Sequence, residues 1–248
     1  MRQFFAALAV VVVPALCGAQ APHKFPPDSL VNTRVIAHAT PVINVIGTMR
    51  NFTSYLGVRC QYCHVGEEGQ PLTQFDFVSD TKRTKVVARE MMLMVAEINR
   101  GLDSLPGRTS PGLQVTCNTC HRGTSRPVPL ATLIAETATA AGADSATRAY
   151  RALRARYYGR DAFDFGEGSL NTAAFRLGTA TKYDEAFAML KLNEELFPGS
   201  SGMYVFRGNI NVMKADTAAA EVAFREAVRR DSTNVEAKGR LQAIGKKP

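Results

Sequence analysis

Cys60-Gln61-Tyr62-Cys63-His64 and Cys117-Asn118-Thr119-Cys120-His121 use every cysteine of the chain except Cys17. In both stretches a histidine follows the second cysteine at once. On one helical turn the two thiols of each motif share a face, and the histidine projects beside them. That disposition suits covalent haem attachment, in which the thiols bond the vinyl groups and the next residue reaches the iron. A four-cysteine zinc site would leave both histidines unexplained and would draw together pairs far apart in sequence. A thioredoxin-like redox pair needs a strand-to-helix context that the flanking residues lack. The motifs therefore predict two covalently bound haem c groups. Cys60, Cys63, Cys117 and Cys120 are the attachment thiols, and His64 and His121 are the proximal iron ligands.

Haem iron in electron carriers usually takes a second axial ligand, and Met or His there sets the potential. Besides the motif histidines only His23 and His38 remain, whereas methionines are well placed. Thr40 is a candidate N-cap, and Pro41 suits the first helical position. From Val42 the apolar residues Val45, Ile46, Met49, Phe52 and Leu56 recur at helical spacing, and Gly57 ends the run just before Cys60. Met49 thus lies on the apolar face of a helix that leads into the first motif. A second helix, capped by Ser79 and Asp80 and running to about Leu102, carries Val87, Met91, Met94, Val95 and Ile98 on one face. The second motif follows it after a loop containing Pro106, Gly107 and Pro111.

Three stretches carry a family resemblance: Met49 to Gly57, Lys85-Val86-Val87-Ala88-Arg89-Glu90-Met91-Met92-Leu93-Met94 through Ile98-Asn99, and Val115-Thr116-Cys117 through His121-Arg122-Gly123. They resemble the cytochrome subunit of photosynthetic reaction centres, and more closely its smaller non-photosynthetic relatives. The resemblance covers roughly residues 32–127. It implies two units, each a helix bearing an axial methionine, a turn and a short haem-bearing helix. Carried over by position, it implies Met49 and Met91 as the distal ligands. Met92 and Met94 stand in reserve for the second haem, and His38 is the alternative to Met49. Arg122 and Arg126 are candidates to pair with haem propionates. The chain departs from the photosynthetic pattern in having two motifs instead of four and a shorter gap from Met49 to Cys60. Docking to a reaction centre is therefore not implied.

The N-terminus reads as an export signal at residues 1–19. Arg2 precedes an apolar run from Phe4 to Leu16, then Cys17-Gly18-Ala19 offers small residues for cleavage. The run is too short for a transmembrane span. A lipid anchor on Cys17 is disfavoured by the bulk of Leu16. Export supplies the oxidising compartment that haem attachment requires, so a periplasmic or other extracytoplasmic location is expected.

Hydrophobic residues make up 46% and charged residues 21% of the 248, which suits a globular protein and excludes a disordered one. The net charge of +8 favours acidic partners without choosing among them, and no nucleic-acid motif is present. In the last third a self-comparison at a spacing of 34 residues pairs Ala174 with Gly208, Ala186 with Ala220, Leu190 with Phe224 and Pro198 with Ser232. Tyr183-Asp184-Glu185-Ala186 and Leu196-Phe197-Pro198 resemble tetratricopeptide repeats. A helix from about Ser145 to Tyr157 caps one end, and one from Asn234 to Ile244 solvates the other.

The expectation is an all-α chain: a dihaem c-type cytochrome domain at 20–130, a helical linker or cap at 131–166, and short tetratricopeptide-like repeats at 167–248. Its expected role is electron transfer between redox protein partners, without a small-molecule substrate or enzymatic activity. Docking into a membrane complex, or self-assembly, would run through the repeats. The rivals are a dihaem peroxidase or reductase with one open iron, and a haem-bearing subunit of a larger complex or polymer.

Overall fold

The computed structural model describes residues 24–107 and 112–247. The export signal, Cys17, His23 and Pro111 lie outside the described residues. Among the described residues the chain forms nine α-helices, two short 3-10 turns and no strand. The all-α expectation holds. No helix among them is long and apolar enough to cross a membrane.

The chain divides into two compact units, the first ending at Val115 and the second formed by residues 54–57 and those from Thr116 onward. In the first unit, helix α1 (Val42–Leu56) starts one residue later than expected, because the carbonyl of Pro41 already accepts from the amide of Val45 (3.2 Å). Gly57 ends it at φ +64°, a left-handed conformation that glycine reaches without a Cβ penalty. Helix α2 spans Arg83–Asp103. Ser79 and Asp80 do not cap it. Lys82 is the N-cap, without a side-chain capping bond, and Asp80 is engaged elsewhere, by Arg89 (2.8 Å) and Asn32 (2.9 Å). A carboxylate gains more from a guanidinium than from a capping amide.

The second unit contains α3 (Cys117–His121), α4 (Leu130–Tyr157), α5 (Glu167–Thr179), α6 (Tyr183–Leu196), α7 (Gly202–Met213), α8 (Thr217–Arg230) and α9 (Val235–Ala243). Helix α4 breaks at Gly142 (φ 81°, ψ 172°), so its second part matches the expected Ser145–Tyr157 helix. The pairs α5–α6 and α7–α8 repeat one another down to the backbone. Thr181 and Ala215, one repeat apart, both adopt positive φ. The next residue in each case, Lys182 or Asp216, sends its amide back to Leu177 or Asn211 at 2.9 Å, closing the first helix of each pair alike. Asp216 then caps α8 through the amide of Ala219, and Asn234 caps α9 through that of Ala237.

Helices α4 to α9 share one core, in which Tyr150, Leu170, Leu177, Met189, Leu190, Ile210, Phe224 and Leu241 are fully buried. The small residues of the 34-residue spacing make close approach possible. A Cβ on Gly208 would lie 2.3 Å from the ring of Phe224, which is itself fully enclosed. Gly208→Ala is therefore expected to cost roughly 1–3 kcal/mol. A urea melt followed by circular dichroism should show the midpoint fall, and an unchanged midpoint would mean that the ring has room to move.

Candidate haem sites

The first motif is wound into one turn. Residues Cys60–Tyr62 form a 3-10 helix, and the amides of Cys63 (3.2 Å) and His64 (2.9 Å) both donate to the carbonyl of Cys60. Both thiols and the histidine therefore issue from the same turn, as the spacing requires. The start of α2 holds this turn: Lys82 Nζ donates to the carbonyl of Gln61 and Thr84 Oγ1 to that of Tyr62. The ring of His64 packs against the edge of Phe77 (4.9 Å between centroids), and its buried Nδ1 has no hydrogen-bond partner. Burial first, and Lys85 second, push the His64 imidazole down to about 4. It is neutral at physiological pH, the form in which imidazole binds a metal.

The second motif is helix α3. The amide of Thr116 donates to Thr119 Oγ1 (3.0 Å), tying the first turn. His121 Nδ1 lies 2.9 Å from the carbonyl of Thr124. A carbonyl can only accept, so Nδ1 carries the proton and Nε2 keeps its lone pair for a metal. After the motif, Gly123 donates its amide to the carbonyl of Tyr55 (2.8 Å) and packs on Gly57 so closely that a Cβ on Gly57 would meet the Gly123 carbonyl at 2.0 Å. Arg122 is exposed and lines a cleft with Asn118, Arg156 and Arg160. Arg126 is not free for a propionate, since both its terminal nitrogens reach Glu136, at 2.6 and 3.0 Å.

The four motif cysteines are free thiols. Burial pushes the thiols of Cys63 and Cys117 up, opposite to the depressed pKa of a redox-active cysteine. Among the described residues no group of three or more His, Cys, Asp or Glu side chains converges as a metal cluster would. The raised thiols give the thioredoxin-like alternative no support.

The residues fit haem in a further respect. In the first unit Phe75 is the one buried residue among those described; α1 and α2 bury none. The expected apolar stripe of α2 is present but stands open, with Val87 38%, Met91 40%, Met94 48% and Ile98 40% exposed. Met49 on α1 and Met92 on α2 are half-buried, and His38 is exposed. Covering a large apolar side chain is worth about 1.5–3 kcal/mol, and a unit of this size normally covers many. A broad apolar group such as haem, tethered at the cysteines, would supply the surface these side chains lack.

Two features of this region escaped sequence reasoning. Asn99 clamps Val115 with paired bonds, Nδ2 to the carbonyl (2.9 Å) and amide to Oδ1 (2.8 Å). An amide at the end of an apolar helical stripe was the available signal. Lys85 is the second: its ammonium lies 2.8–2.9 Å from the carbonyls of Phe77, Val78 and Ser79 and 3.2 Å from Asp80. No local pattern announces that arrangement.

The family model described as photosynthetic reaction centre cytochrome C subunit matches residues 15–159, more than half of the chain. The match includes both motifs, α1, α2 and α3, and stops short of α5.

If haem supplies the core of the first unit, replacing all four motif cysteines by serine should leave α1 and α2 without slow amide exchange while α4–α9 keep theirs. Hydrogen exchange read by mass spectrometry distinguishes the two parts. Equal protection of α1 and α2 in the haem-free protein would count against that role. Separately, Asn99→Leu should speed exchange at the Val115 amide, at a cost of about 1–3 kcal/mol for the unpaired backbone groups.

Proposed function

We propose, because the chain belongs to the photosynthetic reaction centre cytochrome C subunit family, that it is an extracytoplasmic dihaem c-type cytochrome passing electrons between redox protein partners. A haem-based electron-transfer role and covalently bound haem c follow from the family. The count of two, the location and the partners are our reading. The observation that carries it is the pair of Cys-x-x-Cys-His turns, each offering two thiols and an imidazole, in a chain with apolar side chains left uncovered beside the first.

Bound haem supplies an iron that alternates between ferric and ferrous without making or breaking bonds to substrate. The chain's own residues do the rest. Cys60 with Cys63, and Cys117 with Cys120, would anchor the two groups through thioether bonds. His64 and His121 would be the proximal ligands, and Thr124 fixes the tautomer and direction of the second. Met49 and Met91 are the proposed distal ligands, with Met92, Met94 and His38 as the alternatives. With both iron faces filled there is no place for a substrate, which favours a carrier over an enzyme. The apolar stripe of α2 would exclude water from the cofactor.

The haem-bearing part is proposed to end near residue 130, and the repeats of residues 167–248, read as tetratricopeptide-like, to be a docking or assembly surface. Two attachment motifs instead of four leave docking to a photosynthetic reaction centre outside the proposal.

The test is the mass and visible spectrum of the protein exported with haem-maturation machinery. Two haems per chain are expected, with Cys60→Ser/Cys63→Ser and Cys117→Ser/Cys120→Ser each losing one. Both should be low-spin and refuse carbon monoxide when reduced, while Met49→Ala and Met91→Ala should each open one iron to it. Carbon monoxide binding by one haem of the unaltered protein would move the peroxidase or reductase reading to the front.

A further inference from the structure

We infer that the two haem positions are electrostatically unequal, the one on His64 having the higher reduction potential, and that Lys82, Lys85 and Arg89 are the residues that raise it. The inference rests on the dihaem reading above.

The first observation is the second shell of the two histidines. His121 donates from Nδ1 to the carbonyl of Thr124 (2.9 Å), whereas Nδ1 of His64 is buried and bonds nothing. A hydrogen bond from Nδ1 makes the imidazole a stronger donor to iron and so stabilises the ferric state. The His121 position has this stabilisation and the His64 position lacks it.

The charges around His64 act in the same direction. Lys85 and Arg89 expose only 12% and 13% of their side chains. Lys85 is enclosed by the carbonyls of Phe77, Val78 and Ser79, and Phe77 is the residue whose ring meets His64. Lys82 donates to Gln61, inside the motif itself. Two carboxylates oppose these three cations. Asp76 accepts at Oδ1 from the amides of Val78 and Ser79. Asp80 is shared among Arg89 (2.8 Å), Lys85 (3.2 Å) and the exposed Arg34 (3.5 Å). The excess is positive, and its enclosed members are little screened by salt.

Ferric haem carries one more positive charge than ferrous haem. Nearby cations and the aromatic surroundings of Phe75 and Phe77 both resist that added charge, which raises the potential. At the second motif the charges are arranged otherwise. Arg122, Arg156 and Arg160, which line one cleft with Asp161, are all exposed to water and so screened by salt, and Arg126 is neutralised by Glu136. With methionine proposed on both distal sides, the ligand type does not separate the two sites, and the surroundings do. An electron shared between the two haems resides on that of His64.

The experiment is a spectroelectrochemical titration of the haem-loaded full chain, with haem counted by mass. Two waves are expected. Lys82→Gln and Lys85→Met should each lower the upper wave and leave the lower one in place, and Lys82→Arg should move neither. Protein carrying Cys60→Ser/Cys63→Ser should retain only the lower wave. Lys82 donates to one carbonyl where Lys85 donates to three, so Lys82→Gln carries the test if Lys85→Met fails to fold. One merged wave, or a lower wave that moves with the lysines, would overturn the inference while the dihaem reading stands. A single haem per chain would overturn both.

Discussion

Apolar side chains that their own unit leaves uncovered are the constraint on which the first half of the protein depends. A chain segment holding two long amphipathic helices normally closes their faces on each other or on a sheet. Here α1 and α2 close on neither, and Phe75 is the one enclosed residue among those described in that unit. Polar contacts hold the segment in shape instead. Arg89 joins α2 to Asn32 and Asp80, Lys85 gathers three successive carbonyls, and Asn99 pairs with Val115. Such bonds add about 1 kcal/mol each and fix geometry without expelling much water. A scaffold built this way leaves apolar faces on which a broad apolar group could pack.

The second unit shows the opposite economy. Its helices enclose aromatic and aliphatic side chains fully, and its few buried polar groups are mostly matched, as where Asn193 donates to Asn171 (2.8 Å) and to the carbonyl of Glu167 (3.0 Å). Tyr204 is gripped between Arg230 and Arg207, each over its ring, while its hydroxyl donates to Glu194. This core needs no cofactor. The same unit includes α3, where Gly57 and Gly123 meet backbone to backbone and leave no space for a side chain on Gly57.

What could be read from the sequence follows from how local each feature is. The end of α1 was legible because Gly57 at a helix terminus has one economical conformation, and the apolar stripe of α2 because its period is helical. The helix pairs of the last third were legible because Ala174, Gly208, Ala186 and Ala220 mark close packing at fixed intervals. The start of α2 was not, since Ser79 and Asp80 look like caps until Arg89 and Asn32, distant in sequence, compete for the carboxylate. The pairing of Arg126 was hidden for the same kind of reason: its partner Glu136 lies ten residues on, across a helix start. Each Cys-x-x-Cys-His stretch is wound on a single turn, as its spacing requires, whereas the distal methionines rest on the resemblance.

A motif of five residues fixes attachment and little else. Both copies here place a histidine after two thiols, yet one ring is oriented by a backbone carbonyl and the other lies unbonded against an aromatic edge. The difference arises outside the motifs. Residues 122–124 turn back over His121 through the left-handed backbone of Arg122 and Gly123, which brings the Thr124 carbonyl to Nδ1. After His64 the chain instead runs on through Gly66, held tightly against Phe75, and the aromatic side chains that follow occupy the ring's surroundings. Since the potential of a haem depends on ligand basicity, burial and nearby charge, the few residues after each histidine would tune what the motif only attaches. On the proposed reading, two attachment signatures of one pattern would thereby serve unequal redox roles in one chain.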